Sequence, residues 1–218
     1  MSLIIQKIEQ LRQEIPPNVR LIGITKGVEV EAIAQAYDAG LRDFGESRLQ
    51  EAIPKQEQLK SYQDITWHFI GHLQSRKAKK VVESFPWIHS VDSLKLAERL
   101  DDCARELSVS PRVCLQVKLV PDPNKYGWHS QELIQDLATL NQYQHLNIQG
   151  LMTILPLGLS PTEALTVFKS TRELAQQINQ QNWSNLRLSE LSMGMSGDYL
   201  LGIQAGATMI RLGRAIFL

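Results

Sequence analysis

The sequence predicts a (β/α)8 TIM barrel, and three observations carry that prediction. Short apolar runs rich in β-branched residues alternate strictly with stretches of helical period. Strict alternation means parallel strands joined by crossover helices. It yields eight strands, and no GxGxxG turn follows the first of them, which favours a closed barrel over an open doubly wound sheet.

The elements follow in order. Residues 2–15 place Leu3, Ile4, Ile8, Leu11 and Ile15 at helical spacing, and Pro16-Pro17 stops that helix. Leu21 to Ile24 reads as the first strand. Residues 29–39 form a helix with Val30, Ile33, Ala34 and Tyr37 inward, closed by Gly40 at a C-terminal cap position. Leu41 to Phe44 is the second strand, and 47–59 is a helix blemished by Pro54. Strands at Trp67 to Ile70, Trp87 to Val91 and Val113 to Val117 are each followed by a helix, at 75–84, 93–107 and 130–141. Ile148 to Met152 is the next strand. Ser160-Pro161-Thr162-Glu163 then opens a helix with a cap, a first-turn proline and a capping-box glutamate. Leu186 to Leu191, a helix at 197–205 and Thr208 to Leu212 complete the alternation. Only GRAIFL follows the last strand, so the N-terminal helix is expected to cover the remaining gap. A length of 218 residues, against about 250 for a typical barrel, reads as one domain, residues 1–218, trimmed to its minimum.

Charge is balanced at 23 basic and 23 acidic residues. That argues against a general affinity for nucleic acid or an anionic membrane, whose partners are basic. No apolar run approaches the ~18 residues of a membrane span, and the N-terminus lacks the apolar centre of a signal peptide. Cys103 and Cys114 show no metal spacing and exclude a disulfide framework. The expectation is a cytoplasmic protein without metal.

In a barrel the chemistry sits where the strands end. The first strand ends at Thr25-Lys26-Gly27. A lysine there points toward the mouth, where burial would favour a neutral, nucleophilic amine. The standard phosphate site of such barrels uses the loops after strands seven and eight. The first of these loops, Ser192-Met193-Gly194-Met195-Ser196-Gly197-Asp198, offers glycines and hydroxyls ahead of a helix. The second is Gly213-Arg214, preceded by Arg211. A lysine at strand one and anion sites at strands seven and eight suit a Schiff-base cofactor with a phosphate arm.

Other candidates carry less. His68 and His72 have zinc spacing only on a helix, and here they flank a strand end, so a structural role is expected. The MGMSG string misses the spacing of a nucleophile elbow. Arg76, Lys77, Lys79 and Lys80 read first as a solvated face and only secondarily as an anion or partner site.

Several long strings, in order, resemble the pyridoxal phosphate homeostasis proteins of the YggS and PROSC type. They are GITKGV around Lys26, FGESRLQE from Phe44, WHFIGHLQSRK from Trp67, IHSVD from Ile88, GLM from Gly150 to Met152, LSMGMSGDY from Leu191 and ATMIRLGRAIF from Ala207. The resemblance runs nearly end to end. It implies a fold-type III pyridoxal 5'-phosphate (PLP) barrel similar to the N-terminal domain of alanine racemase. Lys26 then matches the lysine that forms the Schiff base, and Arg211 the arginine facing the pyridine nitrogen. Ser192, Gly194 and Ser196, with the backbone of Gly213 and Arg214, match the phosphate cradle. Met152 falls in a matching string. Ser47 stands where the family commonly has asparagine, which puts a direct cofactor contact there in question.

A cation at the ring nitrogen opposes its protonation and makes the ring a poorer electron sink. Racemases with this arrangement still work, but they need two well-placed bases, and the resemblance implies a monomeric PLP carrier that holds the cofactor and releases it or passes it to apo-enzymes. A low-activity racemase-like enzyme and a regulatory PLP sensor are the alternatives.

Overall fold

Eight parallel strands close on one another in sequence order. They are β1 (Arg20–Ile24), β2 (Asp43–Glu46), β3 (Thr66–Phe69), β4 (Trp87–Val91), β5 (Arg112–Val117), β6 (Asn147–Thr153), β7 (Leu186–Met195) and β8 (Met209–Leu212). The structure is a computed structural model and describes residues 2–218. Closure is made by β8 against β1, with Arg20 beside Met209 and Gly23 beside Leu212. A closed barrel leaves no unpaired strand edge.

The helices are α1 (Leu3–Glu14), α2 (Val30–Asp38), α3 (Leu49–Gln58), α4 (Ala78–Ser84, preceded by a 3-10 turn at Ser75–Lys77), α5 (Leu94–Leu107), α6 (Ser130–Leu140), α7 (Pro161–Asn179), α8 (Tyr199–Gln204) and α9 (Arg214–Phe217). The barrel and the alternation are as the sequence predicts. The short α9 packs against α1, which also packs against α2, so the N-terminal helix does cover the gap. The capping box at α7 is formed: Glu163 N–H donates to Ser160 Oγ at 3.3 Å, and Ser160 N–H donates to Glu163 Oε2 at 2.8 Å. Pro54 is carried inside α3, which continues through it.

Two departures from the sequence reading have a clear local cause. The second strand begins at Asp43, not Leu41. The reason is the end of α2, where Gly40 takes φ +84°. There Leu41 N–H donates to Ala36 O and Gly40 N–H donates to Tyr37 O. That pairing is a Schellman cap, in which the residue after glycine belongs to the helix end. Buried Leu41 is therefore its hydrophobic contact and not the start of a strand. The seventh strand runs on to Met195, four residues beyond the expected Leu191. Ser192, Met193 and Gly194 are all buried in it.

The core has two layers. A large apolar layer fills the space between strands and helices, with Phe44, Phe85, Leu100, Leu137, Phe168 and Ile210 among its buried members. A smaller cluster inside the barrel joins Ile22, Trp87, Cys114, Met152 and Met209. The rest of the interior is polar, with His68, His89, Gln116, Ser192 and Arg211 buried.

Candidate functional site

The turn after β1 is anchored from below. Thr25 Oγ1 donates to Glu46 Oε1 at 2.7 Å. Lys55 Nζ, from α3, donates to the same Oε1 at 2.7 Å and to Thr25 O at 2.6 Å. Glu46 is fully buried, and its Oε2 has no hydrogen-bond partner among the described residues. On the far side of the turn, Gly27 N–H donates to Glu51 Oε2 at 3.4 Å. Arg48 bonds the other oxygen of that carboxylate, and these contacts hold its pKa below the ordinary glutamate value. Lys26 stands on this braced turn. Burial was the expected source of its reactivity. The structure instead leaves it exposed, so the chain fixes its backbone and leaves its amine accessible.

Arg211 is the opposite case. It is 2% exposed and lies in β8. Its Nη1 donates to Ser192 O and to Ser192 Oγ, both at 2.6 Å, and its Nη2 donates to Thr153 O at 2.9 Å. A guanidinium carries five N–H groups. Three are used, which leaves Nε–H and one Nη2–H without an acceptor among the described residues. Burial pulls its pKa down to about 10, so it remains a cation at neutral pH.

Ser192 belongs to this interior arrangement. The sequence reading puts it in a phosphate loop, but its hydroxyl is engaged inside the barrel by Arg211 and by His89 Nδ1 at 2.7 Å. Gly194 is likewise a strand residue. Its φ of +96° turns the chain at the strand end, and a Cβ there would lie 2.9 Å from Tyr199 Cα. The loop proper begins at Ser196. Its Oγ accepts from Ala215 N–H at 3.3 Å, which joins the β7 loop to the Gly213-Arg214 turn. The two expected anion loops are thus brought together, with Arg214 exposed beside them. Met152 is fully buried in the barrel's interior cluster. Ser47 is half-buried at the end of β2.

His68 and His72 have separate surroundings. His68 is buried in the barrel, bonded to Asp43 and His89. His72 is exposed, bonded to Asp92 at 3.2 Å and stacked on Tyr126 at 3.7 Å. In the basic run, Lys79 pairs with Glu106 and Lys80 with Glu83, as befits a solvated face. Sequence reasoning missed Thr25, Glu46, Lys55, His89 and Thr153. One signal was available: His89 is a polar residue within the largely apolar run from Trp87 to Val91.

The sequence pattern described as alanine racemase, N-terminal domain, matches residues 2–218. A barrel of that class, with lysine after its first strand and a buried arginine in its last, is what the fold and site define. Among curated relatives, the pyridoxal phosphate homeostasis protein of Synechocystis is 58% identical over 203 residues, covering 93% of this chain and 92% of its own. The Escherichia coli protein of that name is 35% identical over 208 residues, covering 93% and 86%. PipY of Synechococcus elongatus, solved with PLP bound, superposes with a TM-score of 0.94 at 50% identity, covering 99% of this chain and 100% of that one. The chain belongs to the pyridoxal phosphate homeostasis protein family. An alanine racemase of Clostridium difficile shares the fold, at a TM-score of 0.74, 10% identity and coverage of 98% and 56%.

Proposed function

We propose that this chain, as a single-domain monomer in the cytoplasm, binds pyridoxal 5'-phosphate at the C-terminal mouth of its barrel and serves its homeostasis. It holds the cofactor on Lys26 and releases it or delivers it to apo-enzymes that require it. The observation that carries this reading is the guanidinium of Arg211, buried, clamped by three hydrogen bonds and left with two N–H groups to donate. A ring nitrogen is an acceptor that suits them. The register agrees: Ile22 lies beside Arg211, so Lys26 begins four residues further toward the mouth, at most roughly 13 Å along the strand. That interval accommodates a lysine, an arginine and one aromatic ring between them.

When bound, PLP supplies an aldehyde that condenses with a primary amine and a ring that can draw off electrons. Lys26 offers the amine from a turn fixed by Thr25, Glu46 and Lys55. Arg211 would donate to the ring nitrogen and, as a cation, oppose its protonation, which would make the ring a weaker electron sink. Ser196, Gly213 and Arg214 offer donors and positive charge to the phosphate. Met152 closes the floor, and Ser47 and Gly194 shape the rim.

The test has two parts. Purified protein mixed with PLP is expected to develop a visible absorption band that Lys26→Ala abolishes; an unchanged band in the variant overturns the lysine assignment. The loaded protein is then incubated with single L-amino acids in deuterated water. Little α-proton exchange and no D-isomer are expected, whereas fast exchange would establish the racemase-like alternative.

A further inference from the structure

The interior of the barrel holds a continuous chain of polar groups that the cofactor site alone does not account for. It begins at Asp43, the first residue of β2. That carboxylate is 22% exposed and opens on a cleft of about 580 Å³ at the N-terminal end of the barrel, lined also by Arg12, Arg20 and Arg42. Asp43 Oδ1 lies 2.9 Å from His68 Nε2. His68 Nδ1 lies 2.9 Å from His89 Nε2. His89 Nδ1 lies 2.7 Å from Ser192 Oγ, and Ser192 Oγ accepts from Arg211 at 2.6 Å. His68 and His89 are both fully buried. Four strands, β2, β3, β4 and β7, contribute one member each and β8 contributes the arginine, so the chain crosses the barrel from its N-terminal cleft to its mouth.

The chemistry of the two ends fixes its direction. Arginine can only donate and an ionised carboxylate can only accept. Each group between them therefore accepts once and donates once. Ser192 takes the Arg211 proton contact and gives its own O–H to His89 Nδ1. His89 gives its Nε2–H to His68 Nδ1, and His68 gives its Nε2–H to Asp43. In the reverse order, a bare Nε2 lone pair of His68 would face the carboxylate. A protonated His68 would also satisfy the contacts, but it would be a cation without water. Burial, with Arg20 and Arg112 nearby, holds its pKa down against the opposing pull of Asp43. Burial holds His89 well down too, with His68, Arg211 and Arg20 adding to the effect. Asp198 and Cys114 are the remaining charged or titratable groups that act on Arg211.

We propose that Asp43, His68, His89 and Ser192 are positioning residues for cofactor retention: a hydrogen-bond relay, polarised in one direction, that fixes Arg211 as a donor at the mouth. The role rests on the reading that Arg211 faces the bound ring. Through the relay, an acceptor at the opposite end of the barrel sets how firmly that guanidinium is held.

Two measurements test it. The first uses the cofactor-free wild-type chain, labelled with 15N-histidine, with signals assigned through His68→Gln and His89→Gln. Both buried imidazoles are expected to be neutral Nε2–H tautomers; an Nδ1–H tautomer or an imidazolium at either position at pH 7 overturns the polarised relay. The second titrates PLP into Asp43→Ala, Asp43→Asn and Ser192→Ala. Loss of one link in a buried chain is expected to weaken retention about tenfold in Asp43→Ala and Ser192→Ala. Asp43→Asn keeps an oxygen that accepts from His68 and should recover about fivefold of that loss, which a merely structural carboxylate would not predict. Wild-type affinity in both alanine variants, with the wild-type chain binding PLP, overturns the positioning role and leaves the functional reading standing. No binding by the wild-type chain overturns that reading and the retention role with it, whatever the tautomers show. If Asp43→Ala does not fold, Ser192→Ala and the wild-type spectra decide.

Discussion

Glu46 is the residue on which the lysine turn depends. Its side chain is fully buried, its Oε1 receives Thr25 and Lys55, and its Oε2 has no partner among the described residues. A buried carboxylate of this kind is tolerated only while its partner stays in place. Lys55 is itself largely buried, at 12% side-chain exposure, so water replaces little of what it supplies. Lys55→Met keeps the length of the aliphatic stem and removes the charge. It is expected to cost about 3–5 kcal/mol. At this chain length that lowers Tm by roughly 6–20 °C, read by a thermal scan of the cofactor-free protein. It should also free Thr25 O and loosen the turn under Lys26. A Tm within about 2 °C of wild type would mean that the Glu46 carboxylate is satisfied by another route. Nothing in the local sequence marks Lys55 for this role, because it stands among charged residues in a helix already blemished by Pro54. Only the packing of α3 over the end of β2 brings it to Glu46.

The elements were legible to the degree that their chemistry is local. The α7 start was readable because a cap, a proline and a glutamate within four residues specify it without help from the rest of the fold. The two misplaced boundaries have the converse cause. Leu41 looks like a strand residue until the Gly40 cap claims it. Ser192 to Met195 looks like a loop because serine and glycine are turn residues, yet the barrel interior satisfies the serine and the strand end needs the glycine. Gly194→Ala tests the second point. A side chain is strained at φ +96°, and the new Cβ would meet the backbone of α8 at 2.9 Å. The expected cost is about 1–3 kcal/mol, seen as a lower urea midpoint with an unchanged slope. An unchanged midpoint would show that β7 ends before Gly194. The candidate site divides in the same way. The places of Lys26, Ser196, Gly213 and Arg214 beyond the strand ends, and of Arg211 within the last strand, were legible. The contacts that brace them come from residues distant in sequence, which no spacing rule connects.

At the scale of the whole molecule, the barrel is apolar outside its strands and partly polar within. That arrangement ties stability to pH. His68 and His89 are both fully buried, and burial is the first cause of the lowered pKa of each. A histidine whose folded pKa is depressed contributes its full stability above its unfolded pKa of about 6.5, and that stability is lost as pH falls, because the unfolded chain then binds a proton that the fold refuses. Each histidine that stays neutral in the fold costs about 1.4 kcal/mol at pH 5.5, so the pair costs about 3 kcal/mol. The carboxylates with lowered pKa values act in a different window. Glu51, Asp64, Glu83, Glu106 and Glu163 are held down chiefly by hydrogen bonds. Their contribution is present above about pH 4.5 and fades only below it. The slope between pH 6.5 and 5 therefore belongs mainly to the buried histidines. The urea midpoint of the cofactor-free protein is expected to hold steady from pH 7.5 to 6.5 and to fall by pH 5.5. His89→Gln, less stable at every pH, should lose about half of that fall, since one of the two refused protons is gone. A wild-type midpoint that stays flat down to pH 5.5 would mean that the interior accepts a proton, and the barrel would then hold a buried imidazolium between Asp43 and Ser192 in place of two neutral rings.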